Sequence, residues 1–146
     1  MKIFTMMSYA HGFVGATKEL VEMEKAGLDV VWVPEAYSFD GVSAMGYLAA
    51  KTERVTIASG ILNIYSRTPT LMAMSAAGID SLSEGRCMLG LGASGPQVIE
   101  GFHGVPYDAP MTRIRETIEI CRMVWKREEK LNYEGKKYQV PLAFVI

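Results

Sequence analysis

The apolar positions of this chain change period in a regular rhythm. Residues 2–8, KIFTMMS, predict a strand, and residues 17–26, TKELVEMEKA, an amphipathic helix ended by Gly27. Residues 28–35, LDVVWVPE, form a continuous β-branched run, as expected of a strand buried on both faces. Asp40 is placed to cap a helix over 41–52 with Met45, Leu48 and Ala49 on one side. Residues 54–64, RVTIASGILNI, predict a third strand. Thr68 at the cap and Pro69 in the first turn open a helix that Gly85 stops, with Met72, Ala76, Ile79 and Leu82 facing inward. Residues 86–92, RCMLGLG, predict a fourth strand. In a last helix over 111–128, Met111, Ile114, Ile118, Cys121 and Trp125 form one stripe.

Strand and helix thus alternate in units of about 1–27, 28–53, 54–85 and 86–128, with a tail over 129–146. Apolar strands separated by helices imply a parallel sheet with right-handed crossovers. Two architectures satisfy this, an open doubly wound sheet and part of a (β/α) barrel. Both place ligands at the C-terminal ends of the strands. Asp29, Glu53, Arg54 and Arg86 fall at strand starts, where structural roles are expected. His11, Glu35, Asn63 and Ser94 fall just past four different strand ends and would converge on one mouth.

Charge narrows the picture by exclusion. Fifteen basic residues face sixteen acidic ones, so nothing steers the chain toward nucleic acid or a membrane surface. The densest run, KREEK from Lys126 to Lys130, alternates in sign and reads as a solvated helix end. No segment approaches the ~20 apolar residues of a membrane span, and the N-terminus lacks the pattern of a signal peptide. Cys87 and Cys121 are too few for a disulfide framework and read as small buried thiols, which suggests the cytoplasm. Two scattered histidines and two cysteines give no metal-ligand spacing, so no metal is expected.

The stretch LGLGASGP contains Gly90, Gly92 and Gly95 in the order G-x-G-x-x-G. A dinucleotide fingerprint follows the first strand of its fold and opens directly into a helix. Here it follows the fourth strand, and the long helix begins much later. No acidic residue ends a strand about 20 residues on, where a ribose partner belongs. The spacing fits better with Gly90 and Gly92 keeping a strand slim near its top, and with Gly95 letting backbone N–H groups approach a ligand.

The segments SGILNIYSRTP and SLSEGRCMLGLGASGPQVIEGFHG resemble the luciferase-like flavin and deazaflavin oxidoreductases. The nearest branch is the one that uses coenzyme F420 and includes methylenetetrahydromethanopterin reductase. The resemblance runs from Met1 to about Leu142 and implies one luciferase-like domain with the fold of a (β/α)8 TIM barrel. Such a barrel takes about 250 residues. The 146 residues match its N-terminal half, four parallel strands with flanking helices, plus an insertion-like tail. The terminal AFVI does not match the expected continuation and reads as a new strand or as a chain cut or shifted out of frame; by length a truncated chain is expected.

The resemblance also implies roles. Gly60–Ile61 matches a cis peptide that bulges against the cofactor ring, where the residues alone suggest a simple strand bulge. Asn63 matches a position that hydrogen-bonds the ring edge; by itself it reads equally as a turn-former at the strand exit. Glu35 matches an acidic residue ending the second strand, a proton donor or acceptor or else a carboxylate holding backbone N–H groups at a loop start. Where many relatives have a histidine next, this chain has Ala36. Where many have a glutamate after the fourth strand, it has Pro96, with Glu100 four residues on. His11 could face substrate. Backbone around Gly92, Ser94 and Gly95 would contribute donors to the cofactor, coenzyme F420 or alternatively FMN.

Implied overall is hydride transfer or monooxygenation on a small organic substrate, inactive in this chain alone. The alternative is a non-catalytic half-barrel that acts as a fragment or assembly partner. Exposed strand edges or helices, and inner strand faces at Val31, Val33 and Leu89, suggest a homo-oligomer.

Overall fold

The computed structural model describes residues 1–10, 12–37 and 39–142. The elements are β1 (Phe4–Met6), α1 (Gly12–Lys25), β2 (Val30–Val33), α2 (Gly41–Lys51), β3 (Thr56–Ser59), β4 (Leu62–Asn63), α3 (Pro69–Leu82), β5 (Cys87–Met88), β6 (Leu91–Gly92), α4 (Pro96–Ile99), α5 (Pro110–Lys126), β7 (Asn132–Glu134) and β8 (Gln139–Pro141). They form two compact units, Met1–Leu62 with Ala76–Gly90, and Asn63–Ser75 with Leu91–Ile146.

The first unit holds a four-stranded sheet in the order β1-β2-β3-β5, every pair parallel. A doubly wound sheet reverses its order partway. This one does not, so it winds as a barrel does. The register places Thr5, Val31, Ile57 and Cys87 in one row. Val31 and Ile57 are fully buried in a core with Ala16 and Leu20 of α1, Met45 and Leu48 of α2, and Ile79 of α3. The neighbouring row is Met6, Trp32, Ala58 and Met88. Its two ends are open, Met6 at 62% and Met88 at 41% exposure. Val31 and Val33 therefore do not line an uncovered inner face. Alternation along β2 turns them toward the helices and turns Trp32 the other way.

Polar groups pin the strand starts. Glu24 of α1 is buried and accepts the backbone N–H groups of Glu53, Arg54 and Val55. Burial pushes its carboxyl up, but these three bonds and the nearby Arg86 outweigh that and hold it below the usual range. Arg86 donates to Thr52 Oγ1, to the carbonyls of Ala49, Thr52 and Val55, and through Nε to Ser83. Asp29 accepts from Ile3 N at 2.8 Å. The structural roles expected for Asp29, Arg54 and Arg86 are what the structure shows; at Glu53 it is the backbone N–H that is held.

Asp40 caps α2 through Ser43 N at 2.9 Å, and Thr68 Oγ1 accepts from Leu71 N at 3.2 Å, both as the sequence suggests. Two stripes differ from expectation. On α3, Met72, Ala76 and Ile79 are buried, but Leu82 is 69% exposed. Ser83, one position on, takes the inner place, its hydroxyl bonded to Asp80 O and Arg86 N. On α5, Met111 and Trp125 are exposed, and Glu116, Thr117, Ile120, Cys121 and Val124 form the buried face. That face is turned by Glu116, whose carboxylate accepts the N–H groups of Lys136, Lys137 and Tyr138 beside the β7–β8 hairpin. A carboxylate on the inner side hides the stripe from a hydrophobicity count.

Candidate functional site

In the first unit the site residues lie past the C-terminal ends of β2 and β3. The third predicted strand is interrupted at Gly60–Ile61, where the peptide bond is cis. Gly60 N donates to Val33 O at 2.8 Å, so the ladder with β2 continues one residue beyond β3. A side chain at Gly60 would stand 3.2 Å from the Trp32 indole, and one at Gly90 would stand 2.1 Å from Ser59 O. Ser59 makes that approach useful: its hydroxyl donates to Gly90 O at 2.9 Å and accepts from Gly90 N at 2.8 Å. Gly90 is thus the glycine that the close approach to Ser59 requires, as its motif suggests. Trp32 and Ser59 escape sequence reading, although Trp32 alternates with Val31 and Val33 and so faces the opposite side.

Glu35 follows β2 and is half-buried. Its Oε1 accepts from Gly41 N at 2.9 Å, anchoring the first residue of α2. A side chain at Gly41 would meet Leu62 at 2.8 Å and Glu35 Cβ at 3.5 Å, so these three residues are close neighbours. Tyr9 donates to Pro34 O at 2.5 Å. Burial, then the charges of Glu35 and Asp40, push its phenol up to about 12, so it remains a neutral donor. His11 lies outside the described residues, as does the terminal AFVI.

In the second unit Asn63 is buried at 4% exposure. Its Oδ1 accepts from Tyr65 N at 2.7 Å and from Ser66 N at 3.3 Å, and its Nδ2 lies 3.2 Å from His103 Nε2. This is the turn-forming role. Ile64 N donates to Gly92 O at 3.0 Å. Ser94 is exposed, in the left-handed region at φ 54°, and its carbonyl accepts from the Tyr107 hydroxyl at 3.3 Å. Gly95 O accepts from Val98 N and Ile99 N at the start of α4. That helix has four residues, unlike the long helix a dinucleotide fingerprint opens. Glu100 accepts from Tyr107 N at 3.0 Å, a loop-holding role.

The second unit also holds a network the sequence does not announce. Arg113 lies over the rings of Tyr65 and Tyr138, at 5.5 and 5.4 Å, and its Nη2 is 2.7 Å from Asp108 Oδ1. Hydrogen bonds from Lys137 and Arg113 hold the Asp108 carboxyl below its usual range. Tyr65 donates to Asp108 O at 2.7 Å. Among the described residues no group of three or more His, Cys, Asp or Glu could hold a metal ion. No helix among them is long and apolar enough to cross a membrane.

Comparison with known proteins places this architecture. The chain is 42% identical over 120 residues to a Mycobacterium tuberculosis protein named as a coenzyme F420-dependent oxidoreductase, covering 82% of this chain and 35% of that protein. Its fold superposes with a TM-score of 0.84 on the coenzyme F420-dependent tetrahydromethanopterin reductase of Methanopyrus kandleri, at 22% identity, covering 100% of this chain and 45% of that one. A TM-score of 0.84 also relates it to the FMN-bound oxygenating constituent of 3,6-diketocamphane monooxygenase from Pseudomonas putida, at 20% identity, with 99% and 45% coverage. The chain thus spans about a third of that curated relative and just under half of the solved enzymes. Its four parallel strands are half of a (β/α)8 barrel. The luciferase-like monooxygenase model matches residues 3–146, and the chain belongs to that family.

Proposed function

We propose that this chain contributes the ring-binding strand ends of an oxidoreductase that uses coenzyme F420, with FMN as the alternative. The reaction would be hydride transfer or monooxygenation on a small organic substrate. The observation that carries this reading is the step after β3. There Gly60 presents no side chain above Trp32, beside a half-buried apolar Ile61 and close to the end of β2. The residues present fit a flat ring, since they offer backbone and apolar surface rather than a cluster of ligands. When bound, the cofactor supplies the redox chemistry, and the protein orients it. Glu35 holds the start of α2 beside this step and is the candidate proton-transfer group. Asn63 is the candidate ring-edge contact, and backbone at Gly92, Ser94 and Gly95 the candidate donors. The cytoplasmic assignment rests on the cysteine usage, two residues being too few for a disulfide framework.

The open row at Met6 and Met88 bears on activity. A ring seated beside a row open at both ends would meet water, which competes with directed hydride chemistry. The chain alone is therefore expected to bind weakly and not turn over. A second reading, a non-catalytic half-barrel that associates with other chains, rests on the same row. Fluorescence titration with coenzyme F420 and with FMN tests the first reading. Binding weaker than roughly 1 μM, lost in Gly60→Val, is expected. Equal affinity in Gly60→Val overturns the assignment of the step. Tight stoichiometric binding with turnover overturns the latency.

A further inference from the structure

The Asn63 carboxamide meets a residue forty positions away, His103. Its Oδ1 accepts two backbone N–H groups, from Tyr65 at 2.7 Å and Ser66 at 3.3 Å. Turning the amide over would set its NH2 group against both donors, so the orientation is determined by the network. The NH2 group therefore faces His103 Nε2 at 3.2 Å. An amide NH2 only donates, so Nε2 must accept through its lone pair. In this pairing the ring proton of His103 sits on Nδ1.

The surroundings make this contact separable. His103 is exposed, and the Phe102 ring meets it edge-on at 5.0 Å. Its backbone N–H is bonded to Val98 O at 3.1 Å, and Gly104 follows at φ +68°. From β4 the group facing the imidazole is the uncharged Asn63 amide, and from its own turn it is Phe102. Among the described residues no carboxylate, ammonium or guanidinium group pairs with it.

We infer that His103 is a second positioning group for Asn63, beside the two backbone donors that hold its Oδ1. It acts through the Nδ1–H tautomer, whose Nε2 lone pair accepts from the amide. The pairing stands on the geometry alone. Only its consequence rests on the proposed function. With Oδ1 committed, Asn63 can offer a cofactor only an N–H, so its partner must be an acceptor such as a ring carbonyl.

Nitrogen-15 NMR of the full chain tests the pairing without any cofactor. At pH 8 the His103 ring should show the Nδ1–H tautomer. A hydrogen-bond scalar coupling should link Asn63 Nδ2 to His103 Nε2. An Nε2–H tautomer at pH 8, or the absence of that coupling, overturns the inference. Two variants separate positioning from bulk. His103→Gln retains an acceptor and should keep amide exchange at Tyr65 and Ser66 near the parent rate. His103→Phe should raise it about tenfold, the weight of one ordinary hydrogen bond. Equal exchange in the two variants also overturns it. Failure of the parent chain to bind coenzyme F420 or FMN would count against the ring reading and leave these NMR outcomes intact.

Discussion

Adjacent rows of the four-stranded sheet are made of similar residues and sit in different surroundings. Val31 and Ile57 are fully buried under α1, α2 and α3. One residue along each strand, the row opens only at its ends: Met6 and Met88 meet solvent, while Trp32 is half-buried and Ala58 fully buried between them. A continuous apolar run signals a strand buried on both faces, and here only one cover is supplied by the helices of the first unit. In a closed barrel the other face becomes the interior, filled in layers by alternate strands. Apolar character at Met6 and Met88 therefore records what the fold family covers, and contributes little to the stability of this chain.

The largest expected effect separates the rows directly. Ile57→Ala removes a side chain with no exposure from the covered row. It should cost about 2–5 kcal/mol, transfer and cavity terms together. Met88→Ala, in the open row, should cost less than about 1 kcal/mol. Denaturant midpoints of the two variants against the parent measure the difference. Equal losses would mean that the open row is packed in solution and would dissolve the comparison.

The covering layer is held by charge as well as by apolar contact, and that sharpens the contrast. Glu24 joins α1 to the start of β3 through three backbone N–H groups. Glu24→Gln should cost about 1–3 kcal/mol at neutral pH, since a charged acceptor is replaced by a neutral one. The folded state lowers this carboxyl's pKa below its unfolded value. Its stabilising share is therefore complete above the unfolded pKa and falls away as pH drops through the folded one. Urea midpoints from pH 7 down to pH 3 should decline in the parent, and less steeply in Glu24→Gln. Parallel slopes would show that Glu24 does not carry that part of the acid sensitivity.

Sequence reading reached what depends on local period and missed what depends on a polar group turned inward. Alternation of strands and helices, the caps at Asp40 and Thr68, and the close approach at Gly90 all follow from short-range rules. The α3 stripe fails only at its end, where Ser83 replaces Leu82 because the turn uses its hydroxyl. The α5 stripe fails more broadly, because Glu116 is buried for its hydrogen bonds rather than for its hydrophobicity. The Glu35 and Asn63 positions were legible, with an anchoring and a turn-forming alternative weighed for each, and those contacts are what the structure shows. The partnership of Asn63 with His103 was not, since no spacing rule links residues so distant in sequence.

The smallest effect on stability comes from making the open row polar. Met6→Gln with Met88→Gln should change the unfolding free energy by no more than about 0.5 kcal/mol, because both side chains already meet water. Its effect on association should be larger. Exposed apolar ends at Met6 and Met88, on a sheet whose edge strands are β1 and β5, invite pairing with another chain. Light scattering at tens of micromolar should show the parent self-associating and binding an apolar dye, and the double variant doing both less. A parent that scatters as a clean monomer and binds no dye would remove the open row as an interaction surface. The half-barrel assembly reading would fall with it. If the double variant instead loses stability as much as Ile57→Ala, the row is covered after all, and the two faces of the sheet differ only in which neighbours cover them.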